Sequence, residues 1–218
     1  MAEDAAERFE RLLGALEAEP DPPTTVRGAD AADRHLADSL TGLAVPELAG
    51  AARIADLGAG AGFPGLALAV ARPDTQVDLI ESTTRKCEVI DRLASAAGIG
   101  NARAVPERAE DWAAGEGREA YDAVTARALA PLAVIAEYAS PLLREGGVLV
   151  AWKGSRDADE EARGTSAADQ LGLSPPEVMR VEPFEGAANR HLHVLKKVAP
   201  TPAGFPRRAG MARKRPLK

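Results

Sequence analysis

The chain has 218 residues and a formal net charge of −6, long enough for one domain with a sizeable core. No apolar run approaches the roughly 18 residues of a membrane helix, and the start, Met1–Asp4, is acidic rather than leader-like. The single cysteine, Cys87, excludes an internal disulfide and a cysteine-based zinc site, so a reduced, cytoplasmic protein is expected.

Residues 5–17 place Phe9, Leu12, Leu13 and Leu16 on one face of an amphipathic helix. A Pro-rich loop over 18–30 follows. A second helix is expected over Ala31–Leu43, on which Arg34, His35, Asp38 and Ser39 are neighbours at three- and four-residue spacing, as a solvated face or the lining of a site. From residue 53 the pattern alternates. Strands are predicted at Arg53–Leu57, Gln76–Ile80, Ala102–Val105, Tyr121–Ala126 and Gly147–Trp152, and helices at Pro64–Ala71, Thr84–Ala97 and Ala130–Leu143. Residues 155–176 read as a polar connection with room for a helix. Glu177–Glu182 and His191–Val198 then form a closing antiparallel pair. The predicted fold is α/β: a mostly parallel seven-stranded sheet with an antiparallel end and a short N-terminal helical extension. Its parts are residues 1–45 (extension), 46–200 (nucleotide-binding domain) and 201–218 (tail).

The tail is the charged anomaly. Six of the 27 Lys and Arg lie after Thr201, including Arg207 and Arg208, with no acid among them. That leaves 21 basic against 33 acidic residues, or −12, on the body. A basic tail on an acidic body suits either contact with a polyanion or a solvated tail.

The first predicted strand runs into Asp56-Leu-Gly58-Ala-Gly60-Ala-Gly62-Phe63-Pro-Gly65, a strand–glycine turn–helix order that cradles nucleotides. Two fingerprints overlap here. Gly60–Gly65 satisfies the dinucleotide pattern G-x-G-x-x-G, whereas Asp56–Gly62 satisfies D-x-G-x-G-x-G. A carboxylate at the strand end repels a pyrophosphate but tolerates S-adenosylmethionine (SAM), which carries an ammonium and a sulfonium and no phosphate. The acid thus favours a Rossmann-like class I SAM-dependent methyltransferase over an NAD-dependent oxidoreductase. Glu81, ending the second strand, is placed to accept hydrogen bonds from ribose hydroxyls. The third strand leads into Pro106–Trp112, which supplies candidates beside the adenine.

At the end of the fourth strand stands Arg127-Ala-Leu. It lacks both the Asn/Asp-Pro-Pro-aromatic motif of amine methylation and a cysteine nucleophile. A nucleophile needing no deprotonation fits, and guanine N7, beside the acceptor O6, is one that Arg127 and Lys153 are placed to present. His191 and His193 alternate with apolar residues as one polar strand face would, and no metal site is expected. Trp112 and Trp152 read as packing residues near the cofactor.

Several segments resemble the glucose-inhibited division protein B family, the bacterial 16S rRNA guanine-N7 methyltransferases. They are Thr24-Thr-Val-Arg27, Arg34-His-Leu-Ala-Asp-Ser39, Asp56–Gly65, Arg108-Ala-Glu110, Thr125–Ala128, Trp152-Lys-Gly154, Arg190-His191, and the tail from Phe205 to Leu217. The chain departs from the family in having Pro22-Pro23 before the Thr-x-x-Arg stretch and a short N-terminal region. The resemblance implies methylation of guanine 527 in 16S rRNA or in a small-subunit assembly intermediate, by a monomer without metal or membrane attachment. It implies cofactor contacts at Asp56, Gly58, Gly60, Phe63, Glu81, Ala109, Glu110 and Arg127, and catalytic positions at Arg127, Lys153, His35, Asp38 and Ser39. Substrate contacts are expected at Arg34, Arg108, Arg207 and Arg208. A methyltransferase of a small molecule or a protein is the nearest alternative.

Overall fold

A computed structural model describes residues 3–217. Seven strands form one sheet: β1 (Arg53–Leu57), β2 (Gln76–Ile80), β3 (Ala102–Val105), β4 (Tyr121–Arg127), β5 (Leu143–Lys153), β6 (Glu177–Arg180) and β7 (His191–Lys196). Their order is β3-β2-β1-β4-β5-β7-β6. The first five are parallel, and β7 runs antiparallel to β5 and β6. The helices are α1 (Glu3–Ala18), α2 (Asp38–Leu40), α3 (Pro46–Ala49), α4 (Gly65–Ala71), α5 (Thr84–Ala96), α6 (Ala109–Ala114), α7 (Leu132–Ala139), α8 (Ala158–Gln170) and α9 (Met211–Lys214).

The central strands are buried on both faces, and alternate residues feed two cores, as a strand's period of two requires. Ile54, Val77, Leu79, Val148 and Val150 join α4, α5 and Leu12 and Leu16 of α1 on one face. Ala55, Leu57, Ile80, Val124 and Leu149 join α7 and α8 on the other. Leu12 and Leu16 are fully buried, each contributing about 1.5–3 kcal/mol, so the N-terminal helix is built into the main core.

Four boundaries differ from the sequence reading. The second helix is a π-helical turn over Ala32–Ala37 followed by α2 and a 3-10 turn over Thr41–Ala44. The polar connection holds α8, capped by Asp157, whose carboxylate accepts from the backbone N–H groups of Asp159 and Glu160. Helix α7 spans only Leu132–Ala139, bounded by Pro131 and by Ser140-Pro141. Strand β5 begins at Leu143 because Leu143 pairs with Tyr121 across a register shift.

The tail is folded. Arg207 forms a paired ion contact with the buried carboxylate of Glu137 on α7, and Ala212 is 1% exposed. His193 likewise departs from expectation: it is 3% exposed beneath α8, with Nε2 3.3 Å from a Glu161 carboxylate oxygen. Burial lowers its pKa.

Candidate active site

The strand order reverses at β1, which has β2 on one side and β4 on the other. The carboxyl ends of these strands open a crevice where doubly wound folds bind ligands. Two cavities lie there, of about 370 and 430 Å³. Ala128, the residue after β4, lines both.

The first cavity is walled by Gly58, Glu81, Arg108, Ala109 and Glu110, with Leu129 and Tyr138 from beyond β4. Gly58 has φ of +62°, and a Cβ there would stand 2.5 Å from the Leu129 side chain, so this turn requires glycine. Glu81 is 6% exposed; one carboxylate oxygen accepts from Thr83 N–H at 2.9 Å and the other from Gly60 N–H at 3.3 Å. Each oxygen keeps a further acceptor site toward the cavity. The room, the close-approach glycine and the acid suit an adenosine group.

Asp56 has a different place from the expected cofactor contact. It is fully buried, accepting from Gly65 N–H at 2.9 Å and Thr125 Oγ1 at 2.8 Å. It therefore ties the start of α4 to β4 and lines neither cavity. Burial raises its pKa to about 6, against the opposing hydrogen bonds. Phe63 also lies outside the lining: 5% exposed, it stacks on the His35 ring at 4.5 Å between centroids. Gly60 serves through its backbone N–H on Glu81.

The second cavity gathers Thr24, His35, Asp38, Arg127, Trp152 and Lys153. Arg127 Nη1 donates to Arg34 O at 2.9 Å, Asp38 Oδ2 at 3.1 Å and Ser39 Oγ at 3.4 Å. Arg127 Nη2 donates to His35 Nδ1 at 3.2 Å. Because Nδ1 faces a guanidinium donor it acts as acceptor, leaving the proton on Nε2, which donates to Val26 O at 3.2 Å and lies 3.2 Å from Thr24 Oγ1. Burial, with the Arg127 charge, pushes the His35 pKa down to about 4. Both ring nitrogens are occupied, so His35 orients Arg127. Ser39, fully buried, does the same.

Asp38 Oδ1 is buried without a hydrogen bond, with Arg190 Nε 3.6 Å away. Trp152 lines the second cavity rather than the first, its indole N–H donating to Asp38 O at 2.8 Å. Lys153 Nζ sits 2.5 Å from Glu160 and donates to Ala130 O at 3.1 Å. Trp112 is drawn instead into a buried chain with Tyr121 and Asp78.

The expected substrate arginines separate. Arg34 reaches the second cavity, half exposed and paired with Asp30. Arg108 lines the first cavity, so its position is on the nucleotide side. Arg207 is committed to Glu137, while Arg208 is exposed. Residues the sequence reading passed over are Ala128, Leu129, Tyr138 and, in the tail, Gly210 and Arg213, all lining the first cavity. The sole signal for the tail pair was its Arg-rich, Gly-containing composition, which has another explanation. Among the described residues no group of three or more His, Cys, Asp or Glu gathers to hold a metal, and no helix is long and apolar enough to cross a membrane.

Known proteins share this architecture. A cofactor-bound protein from MTB, Rv0187, superposes with a TM-score of 0.60 at 22% identity, covering 89% of this chain and 90% of that one. A SAM-dependent O-methyltransferase from Thermotoga maritima gives 0.60 at 15% identity, covering 88% and 72%. The strand order and the crevice define a Rossmann-like fold, and the match to an rRNA methyltransferase family makes the chain a SAM-dependent methyltransferase. The ribosomal RNA small subunit methyltransferase G of Deinococcus radiodurans is 40% identical, with 97% of this chain and 85% of that one aligned. That of Roseiflexus castenholzii is 42% identical over 84% and 78%. The family model for rRNA small subunit methyltransferase G matches residues 26–192, and the chain belongs to that family.

Proposed function

We propose that this SAM-dependent rRNA methyltransferase modifies N7 of guanine 527 in 16S rRNA, presented as rRNA or within a small-subunit assembly intermediate. The enzyme acts as a monomer in the cytoplasm. The observation that carries the N7 reading is that, among the described residues, the candidate bases where the two cavities meet are held in ion pairs or by hydrogen bonds. His35 uses both ring nitrogens, Lys153 is paired with Glu160, and Asp38 lies between Arg127 and Arg190. Cys87 Sγ donates to Glu81 O, beneath β2, and offers no nucleophile at β4. Guanine N7 has a free lone pair and needs no base.

Residues of the first cavity hold the cofactor: Gly58 by close backbone approach, Glu81 at the ribose, Ala109 and Glu110 at the adenine. Held there, SAM would supply an electrophilic methyl on its sulfonium, the sulfur keeping the electron pair of the broken S–C bond in S-adenosylhomocysteine. Arg127 spends Nη1 on Arg34 O and Asp38 and one Nη2 donor on His35; the donors left over, Nε–H and the second Nη2–H, are assigned to the cofactor carboxylate or guanine O6. Asp38 offsets the guanidinium charge as the purine becomes cationic. With no proton to move, orientation supplies most of the acceleration, an effect worth roughly 7–11 kcal/mol. Arg34, which lines the second cavity and pairs with Asp30, and the exposed Arg208 are the cations assigned to phosphates.

Labelled SAM, incubated with 16S rRNA and with small subunits from a strain lacking the activity, tests the reading. Label mapping to N7 of guanine 527 is expected. Label at another atom or position, or in protein or small molecules alone, overturns it.

A further inference from the structure

One wall of the first cavity comes from the basic tail. Four contacts fasten the tail to the domain. Arg207 pairs with Glu137 and donates to Arg215 O at 2.9 Å. Arg118 Nη1 donates to Phe205 O at 3.3 Å. Gly210 N–H donates to Glu110 Oε1 at 2.6 Å. Arg213 Nη2 donates to Leu129 O at 3.0 Å. Ala212, between the last two, is buried at 1% exposure. Gly210 and Arg213 thereby line the cavity together with Glu81, Ala109 and Glu110.

We infer that residues 205–217 form a strap that completes the adenosine end of the SAM pocket, with Arg213 contacting the purine. The inference rests on assigning the first cavity to SAM. The Glu110 carboxylate oxygen that accepts from Gly210 is spent on the strap, so this side chain fastens the tail while the backbone of Ala109 and Glu110 stays available to the adenine. The Arg213 guanidinium is steadied from two sides, by Leu129 O and by the Tyr138 hydroxyl, which also lines the cavity. A planar cation fixed at the wall of a purine pocket is suited to a ring face, a contact that strengthens as water leaves. Arg213 is exposed on its outer side like the neighbouring Lys214 and Arg215, but those two line neither cavity. The tail's charges are thus divided: Arg207 anchors, Arg213 meets the cofactor, and Arg208, Lys214 and Arg215 face solvent.

The test is calorimetric titration of SAM and S-adenosylhomocysteine into the full chain, into Arg213→Ala and into Lys214→Ala, with binding of a 16S rRNA fragment measured in parallel. The Arg213→Ala variant is expected to weaken both cofactor forms roughly 3- to 30-fold, the span of a desolvated cation–π contact. Its KM for SAM should rise by the same factor with a smaller change in kcat at saturating SAM, and the apo-protein Tm should fall by no more than the loss of the Leu129 and Tyr138 contacts accounts for. Lys214→Ala should leave cofactor affinity unchanged. Unchanged cofactor affinity with weakened RNA binding in Arg213→Ala assigns this arginine to RNA and overturns the inference. Hydrogen exchange over residues 205–217 gives a readout without mutation: added protection on cofactor binding supports the strap, and none overturns it. A wild-type chain that binds neither cofactor form overturns the SAM assignment and the strap together.

Discussion

Arg127 Nη1 lies 3.1 Å from Asp38 Oδ2, which joins the end of β4 to a helix 89 residues earlier in the chain. The pair is the joint between the methyltransferase sheet and the N-terminal segment. Removing one partner of a largely buried pair leaves the other uncompensated, at a cost of about 3 kcal/mol. Arg127→Ala should therefore lower both stability and methyl transfer, the latter by about 100-fold or more, as loss of a preorganised donor does. Arg127→Lys keeps the charge but serves fewer of the acceptors at Arg34, Asp38, Ser39 and His35. It should recover part of the Tm and little of the rate; a lysine variant with wild-type kcat would reject the role given to the guanidinium.

His35 sets a pH limit. Its folded pKa, about 4, lies below the ordinary value of 6.5. The associated stability is fully present above pH 6.5 and is lost as pH falls toward 4, about 3 kcal/mol in all. NMR titration of the imidazole should give a midpoint near 4, and activity should be indifferent to this residue between pH 7 and 8. A midpoint near 6.5 contradicts the buried pairing with Arg127.

Asp56 works in the opposite sense. Its folded pKa is raised to about 6 from 3.8, so its ionisation opposes folding as pH rises through that window. The penalty is absent below pH 4 and amounts to about 3 kcal/mol above pH 6. Asn at this position can accept from Gly65 N–H and donate to a reoriented Thr125 hydroxyl. Asp56→Asn should therefore be at least as stable as wild type at pH 7, and its stability should rise more steeply between pH 4 and 6, because the opposing His35 titration is left uncompensated. Denaturant melts at several pH values check this, and an unchanged slope counts against the buried carboxylate.

Arg207 and Arg208 are adjacent in sequence yet should behave differently. Glu137 is 2% exposed, so Arg207→Ala strands a buried carboxylate at about 3–5 kcal/mol. That corresponds to a Tm lower by about 10 °C for a chain this size. Arg208→Ala, at an exposed position, should stay within about 0.5 kcal/mol. Thermal melts separate the two, and equal shifts would refute the anchoring role.

Much of the frame was legible in the residues. Strands β1, β2 and β3 fall where apolar runs end at turn residues, and the antiparallel close of the sheet follows from two strand patterns joined by a short loop. The misreadings share a cause. Asp56 is visible as an acid at a strand end, but composition does not say whether its carboxylate turns out to a ligand or back onto Gly65 and Thr125. Arg207 reads as one of a basic run because its partner, Glu137, lies 70 residues upstream. His193 alternates like a surface residue, and only the packing of α8 across the sheet buries it. Residues 144–146 fall between the predicted helix and the predicted strand, whereas the pairing of Leu143 with Tyr121 draws them into β5.

Ala128 carries the last consequence. It lines both cavities and adopts φ of +53°, a region where a Cβ is tolerated and larger or branched side chains are strained. Its methyl group therefore stands where the two cavities adjoin, and under the proposed function it lies between methyl donor and acceptor. Valine there would meet backbone strain and crowd both cavities together, whereas glycine would relax the backbone and leave more room. Backbone handedness thus limits what can stand between the two sites as much as side-chain choice does.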